Sequence, residues 1–163
     1  MAEVVAVTGL GMVTLRGDLG TLAAAADLPV PETRMSTRRD GQALLWMSPD
    51  ELLLVCDDAP GRAALLRERL VGRLATVADV SDARAVFDVK GPDAAATLAK
   101  LMPVDFAGMA ATEVRRSRLA QVPAACWHED AGVRVVCFRS VADYVRAALE
   151  NAAASAPPPL YGS

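Results

Sequence analysis

Apolar runs of strand length alternate with helical stripes, and three segments share one plan of strand, turn, strand and helix. In the first, residues 43–47 and 52–55 read as strands. Ser48, Pro49, Asp50 and Glu51 form the turn, because proline presets φ and Ser and Asp bond their own backbone. Asp57, Asp58 and Pro60 open a helix whose stripe is Ala63, Leu66, Leu70 and Leu74. In the second, residues 76–80 are extended and 81–82 form a turn or kink. Residues 83–90 then alternate, with Ala83, Ala85, Phe87 and Val89 on one face and Arg84, Val86, Asp88 and Lys90 on the other. That is the pattern of a half-buried strand. Gly91, Pro92 and Asp93 start a helix lined by Ala95, Leu98 and Met102, and Pro103 limits it. In the third, residues 116–127 read as a strand in which Pro123 demands an edge or a bulge. Residues 128–132 form a hairpin loop and 133–138 the return strand. Ser140 and Asp143 then frame a capping box for a helix with Val141, Val145, Ala148 and Leu149 inside.

Ahead of these units, residues 4–14 are apolar and extended, residues 22–26 fit a short helix, and residues 35–42 read as a polar loop. The tail, 155–163, is proline-rich and reads as flexible. The repeat is one of plan only, without self-similarity at a fixed period. Hairpins followed by helices predict an α+β fold: repeated strand-turn-strand-helix units form an antiparallel sheet with helices on one face, in a ferredoxin-like arrangement. The domain expected is 1–154, divisible into lobes at 1–75 and 76–154.

With 163 residues, 53% of them hydrophobic, and a net charge of -3, the chain can bury a core unaided and is not disordered over most of its length. A mildly acidic chain is a poor match to non-specific nucleic-acid binding. The start lacks a basic n-region, and no apolar run approaches the ~20 residues that span a bilayer, so a cytoplasmic location is expected. Cys56, Cys126 and Cys137 are odd in number and widely spaced, which argues against both a disulfide framework and a zinc site. Arginine outnumbers lysine 15 to 2 and isoleucine is absent, a bias that fits a GC-rich genome.

Candidate chemistry is sparse. Gly9-Leu10-Gly11 after an apolar run has the opening of a dinucleotide loop, but the third glycine position is Thr14 and no helix opens there; an irregular strand end fits better. His128 is the single histidine and lies at the expected hairpin tip, where nothing holds it for acid–base work. The cysteines lie in apolar strands, where thiols are inert. Asp79, Asp82 and Asp88 are acids at turns and along strands, suited to acid–base chemistry only if they converge. Arg115, Arg116 and Arg118 form a basic cluster that is either a solvated face or an ionic contact with a partner's acidic rim. The sequence thus offers no catalytic, cofactor-binding or metal-ligating residue.

An ordered set of segments resembles a known family. The residues Val13-Thr14-Leu15-Arg16-Gly17-Asp18, then Leu28-Pro29, then Trp46-Met47-Ser48-Pro49-Asp50-Glu51-Leu52 are similar to the N-terminal half of the gamma subunit of heterotetrameric sarcosine oxidase. Asp79-Val80-Ser81-Asp82-Ala83-Arg84, Gly91-Pro92-Asp93-Ala94 and Leu98-Ala99-Lys100 resemble its central signature. Pro103-Val104-Asp105-Phe106, Arg118-Leu119-Ala120-Gln121-Val122 and Arg139-Ser140-Val141-Ala142 continue the match, over residues 12–150 in the same order. Leu52 stands where the family often has Trp after the Pro-Asp-Glu turn, a change conservative for packing. The resemblance implies a four-subunit complex that oxidatively demethylates sarcosine to glycine with O2. Its other products are hydrogen peroxide and a one-carbon unit, released as formaldehyde or captured by tetrahydrofolate. It implies FAD, FMN, NAD and zinc on the alpha, beta and delta subunits and no cofactor on gamma. It also implies a fold like the folate-binding part of the glycine-cleavage T-protein.

Two functions follow. The first is a non-catalytic gamma subunit that docks chiefly on alpha, with no independent activity. The second is a stand-alone folate-type binding module, in which Asp79 or Asp88 would hold the pterin edge.

Overall fold

The computed structural model describes residues 1–130 and 132–155. Of the tail expected at 155–163, residues 156–163 lie outside the described residues. The chain divides into two compact units, one formed by Gly9–Asp82 and the other by Met1–Thr8 with the chain from Ala83 onward. The boundary expected at 75/76 therefore falls after Asp82, and the first eight residues join the second unit.

The Gly9–Asp82 unit contains β2 (Gly11–Arg16), α1 (Leu19–Ala25), β3 (Ser36–Arg39), β4 (Gln42–Ser48), β5 (Glu51–Cys56), α2 (Ala59–Arg69) and β6 (Thr76–Asp79). β1 (Glu3–Val7) precedes it and belongs to the other unit. The strands form one sheet in the order β3-β4-β5-β2-β6, with every neighbour antiparallel. β5 lies between β2 and β4, which is the split crossover of a ferredoxin-like fold with β3 added at the edge. Val13, Leu15, Leu44, Leu52 and Leu54 fill one sheet face against Leu22 and Ala23 of α1 and Ala63 and Leu66 of α2. Both helices start on a side-chain cap: Asp18 accepts from the Thr21 N–H at 2.8 Å and Asp58 from the Gly61 N–H at 3.0 Å.

The second unit pairs β1 with β7 (Arg84–Lys90), followed by α3 (Ala94–Ala99), β8 (Val114–Leu119), β9 (Val122–Glu129), β10 (Gly132–Phe138) and α4 (Ala142–Ala154). Its sheet order is β1-β7-β10-β9-β8, again antiparallel throughout. Phe87, Val89, Cys126, Val133 and Val135 face Leu98 of α3 and Val145 and Leu149 of α4. The expected α+β class holds, with the antiparallel strands shared between two sheets and the helices of each unit on one face of its sheet.

Several local expectations are corrected. Residues 35–42 hold strand β3 and the Asp40-Gly41 hairpin, both turn residues left-handed with φ of 50° and 75°. Their polarity is that of an edge strand. Residues 116–127 are two strands, broken at Ala120 with φ 51°, a turn that lacks the usual glycine or asparagine. Residues 4–14 are two strands, β1 and β2, which enter different sheets. The strand at 84–90 is buried on both faces, since Val86 and Asp88 are as inaccessible as Phe87. Ser140 does not cap α4: a 3-10 turn at Arg139–Val141 precedes the helix, which begins at Ala142 without a side-chain cap. In α3 the buried first-turn residue is Ala94, and Ala95 is exposed. α2 ends at Arg69, with left-handed Gly72 (φ 78°) beyond it, so Leu74 leaves the stripe and is exposed. No helix among the described residues is long and apolar enough to cross a membrane.

Candidate functional site

The Gly9-Leu10-Gly11 segment serves strand geometry. Gly9 is left-handed at φ 75°. A Cβ on Gly11 would run into the Cys56 carbonyl oxygen of the adjacent strand and into Ala59. Gly9 supplies the left-handed turn and Gly11 the close approach, a local backbone reason for each glycine.

The three cysteines are buried and reduced. Burial raises each thiol above its ordinary value, Cys126 to about 12, so none is a thiolate at neutral pH. His128 lies inside β9, paired with Val133, and not at a loop tip. β9 runs through Glu129 and β10 begins at Gly132, so His128, Glu129 and Gly132 are strand residues and not part of the hairpin loop expected at 128–132. Among the described residues no group of three His, Cys, Asp or Glu side chains could hold a metal ion.

The acids are dispersed. Asp79 ends β6 in one unit, and Asp88 lies in β7 of the other. Asp79 braces its own turn: Oδ1 accepts from the Ser81 hydroxyl at 2.7 Å and from the Ser81 N–H at 3.0 Å. These two bonds, the hydroxyl first, hold its carboxyl below the usual range. The Ser81 Oγ in turn accepts from the Met12 N–H at 3.0 Å, tying the turn to β2. Asp82 sits in the 3-10 turn that follows.

Asp88 is the centre of a buried network that the sequence did not reveal. β10 sets Arg134 directly across from Asp88, on the sheet face away from the helices. The guanidinium donates from Nε to Oδ1 at 2.8 Å and from a terminal nitrogen to Oδ2 at 2.9 Å, a bidentate fork. Its other terminal nitrogen lies 3.6 Å from Glu129, which accepts from the Trp127 indole at 3.1 Å. Lys90 stands 4.0 Å from Asp88. The Asp88 hydrogen bonds raise the Arg134 pKa further. Period-2 alternation marked Asp88 as facing away from the core, but its partner lies 46 positions along the chain, where only register brings it into place.

Of the basic cluster, Arg115 turns back to Glu113 at 2.6 Å, while Arg116 and Arg118 are exposed on β8, at the sheet edge. In the Gly9–Asp82 unit a groove of about 530 Å3 runs between α1 and α2, lined by Asp18, Thr21, Ala24, Arg69 and Arg73. A smaller recess of about 300 Å3 lies beside Lys100 and Asn151. Lys100 there donates to the Ala152 and Ser155 carbonyl oxygens and closes the end of α4. The buried arrangement binds charge to charge, and the Ser81 hydroxyl beside Asp79 is tied into its own turn by Met12.

No family model matches the chain. A curated relative, sarcosine oxidase subunit gamma of Arthrobacter, is 30% identical over 133 residues; the match covers 78% of this chain and 66% of the relative. This chain thus spans about two thirds of that relative's length. Among solved structures, heterotetrameric sarcosine oxidase from Corynebacterium in complex with pyrrole 2-carboxylate superposes with a TM-score of 0.82 at 24% identity. It covers 96% of this chain and 88% of that one. Glycine cleavage system aminomethyltransferase T from Bartonella henselae gives 0.72 at 15% identity, over 91% of this chain and 45% of that one. These two structures establish likeness of fold.

Proposed function

Because this chain belongs to the sarcosine oxidase gamma-subunit family, we propose that it acts as a non-catalytic subunit of a heterotetrameric sarcosine oxidase, docking chiefly on the alpha subunit. The complex would convert sarcosine, O2 and water to glycine, formaldehyde and hydrogen peroxide, or pass the one-carbon unit to tetrahydrofolate. FAD, FMN, NAD and zinc would reside on the other subunits. The observation that carries this reading is the likeness to curated gamma subunits over 78% of the chain. The chemistry of the side chains supports it. The thiols are buried and un-ionised, and the most enclosed charges neutralise one another.

The folate-module alternative meets a specific obstacle. A pterin needs an acid with oxygens free for its amide and amine edge. Asp88 commits both oxygens to Arg134, and Asp79 spends Oδ1 on Ser81. Asp88 is therefore a poor pterin anchor, Asp79 keeps only Oδ2 for one, and no folate step is assigned to them.

The test is co-expression with alpha, beta and delta subunits. The chain is expected to copurify with alpha and to consume no oxygen with sarcosine when alone. Failure to associate at micromolar concentration overturns the assembly role, and binding heat from tetrahydrofolate on the isolated chain would restore the alternative.

A further inference from the structure

Helical spacing would carry the α2 stripe on to Leu74, yet Leu74 is 99% exposed and Val71, on the same loop, 80%. Singly exposed aliphatics are ordinary on a protein surface. Here two of them flank an arginine on four consecutive residues, Val71-Gly72-Arg73-Leu74. The loop is not slack. The Val71 N–H donates to the Glu68 carbonyl and the Arg73 N–H to the Leu70 carbonyl. The Leu74 carbonyl presses so close to Gly17 that a Cβ there would come within 2.8 Å. A pinned backbone thus holds both aliphatic side chains in water, which lowers the ordering cost of burying them against something else.

The charge around the loop says what that something is. Arg67 donates to the Val77 carbonyl, and Arg69 to Asp27 and the Ala25 carbonyl. Among the described residues the Arg73 guanidinium has no acceptor, and it stands at the mouth of the groove between α1 and α2. We propose that this loop is a docking knob: Val71 and Leu74 enter an apolar pocket on another subunit of the complex, and a carboxylate at that pocket's rim receives Arg73. The proposal rests on the assembly role argued above. A second copy of this chain is a poor occupant where the loop lies on the two-fold axis, because that contact brings Arg73 against Arg73.

The test uses the full chain with its alpha, beta and delta subunits. Association is measured for wild type, Val71→Ser/Leu74→Ser, Arg73→Glu and, as a control at an exposed aliphatic elsewhere, Val30→Ser. The double variant is expected to bind about a hundredfold more weakly and Arg73→Glu about tenfold, with Val30→Ser unchanged and all thermal midpoints kept. If the double variant unfolds, Arg73→Glu carries the test. Wild-type affinity in both loop variants overturns the knob and leaves the assembly role standing. Wild type that does not bind overturns both. A wild-type dimer of this chain that the double variant dissociates also overturns the proposal, by naming a second copy as the occupant.

Discussion

The Gly9–Asp82 unit orders its strands β3-β4-β5-β2-β6, and the other unit orders them β8-β9-β10-β7-β1. Position for position these are the same sheet. Each begins with an arginine-bearing edge strand, and each packs two helices on one face. Each also sets an ion pair across its third and fourth strands: Arg16 with Glu51 between β2 and β5, and Arg134 with Asp88 between β7 and β10. The weight of that pair differs. The Arg16 side chain is 51% exposed and contacts Glu51 through one nitrogen at 3.0 Å, whereas Arg134 is 13% exposed and forks onto both oxygens of Asp88. The same strand plan therefore places an ion pair across the same two strands of each sheet, at the end of one ladder and inside the other, and burial of the arginine sets its weight in stability.

The largest expected effect comes from breaking the buried pair alone. Arg134→Ala leaves the Asp88 carboxylate enclosed, with Lys90 at 4.0 Å as its remaining cation. It should cost about 3–5 kcal/mol in urea unfolding. Removing both charges together, as Asp88→Leu with Arg134→Met, should recover most of that loss. Arg16→Ala should cost less than Arg134→Ala, because the Arg16 side chain is half in water and meets Glu51 through one nitrogen, although Glu51 is as enclosed as Asp88. Equal losses from Arg134→Ala and Arg16→Ala would erase the distinction between the units.

Next come the helix starts. Asp58 caps α2 through the Gly61 N–H, while Asp93 before α3 makes no side-chain cap bond. Asp58→Ala should lower stability by about 1 kcal/mol and Asp93→Ala by less than half of that, read from chemical denaturation.

The smallest effect is a pH response in the Gly9–Asp82 unit. Asp18, Asp27 and Asp79, all in the Gly9–Asp82 unit, have carboxyls held below the ordinary 3.8 by Thr21, by Arg69 and by Ser81 respectively. A lowered native value means the folded unit binds fewer protons than the unfolded chain. The stability gained is therefore complete above 3.8 and is lost as pH falls through the lowered values. Hydrogen exchange on acidification should show α1 and β6 losing protection as pH falls below 3.8, and unchanged protection there would remove this contribution.

Much of this architecture was legible from pattern. The β4–β5 hairpin, the cap-and-proline start of α2 and the helical faces at Leu98 and Leu149 all follow from residues close together in sequence. What pattern missed depends on tertiary partners. Polar β3 reads as a loop because an edge strand can be polar on its free side. β7 reads as half-buried because nothing local shows that Val86 and Asp88 are also enclosed. Arg134 escaped notice as a functional group because its role exists only once β10 lies in register beside β7. Periodicity places Leu74 in the core because it cannot see that Gly72 ends the helix first. That failure marks the exposed loop on which the docking proposal stands.

The position of β1 bears on how the protein is made. On a ribosome β1 emerges before the Gly9–Asp82 unit, yet its ladder runs to β7, with Glu3 opposite Lys90 and Val7 opposite Val86. The whole Gly9–Asp82 unit is translated before that strand can pair, and that unit needs nothing from outside its own stretch to complete its sheet. During that interval the valine-rich start of the chain is an open edge, the kind of segment that nascent-chain chaperones hold. Nascent chains stalled after residue 82 should thus carry one finished sheet and one waiting strand.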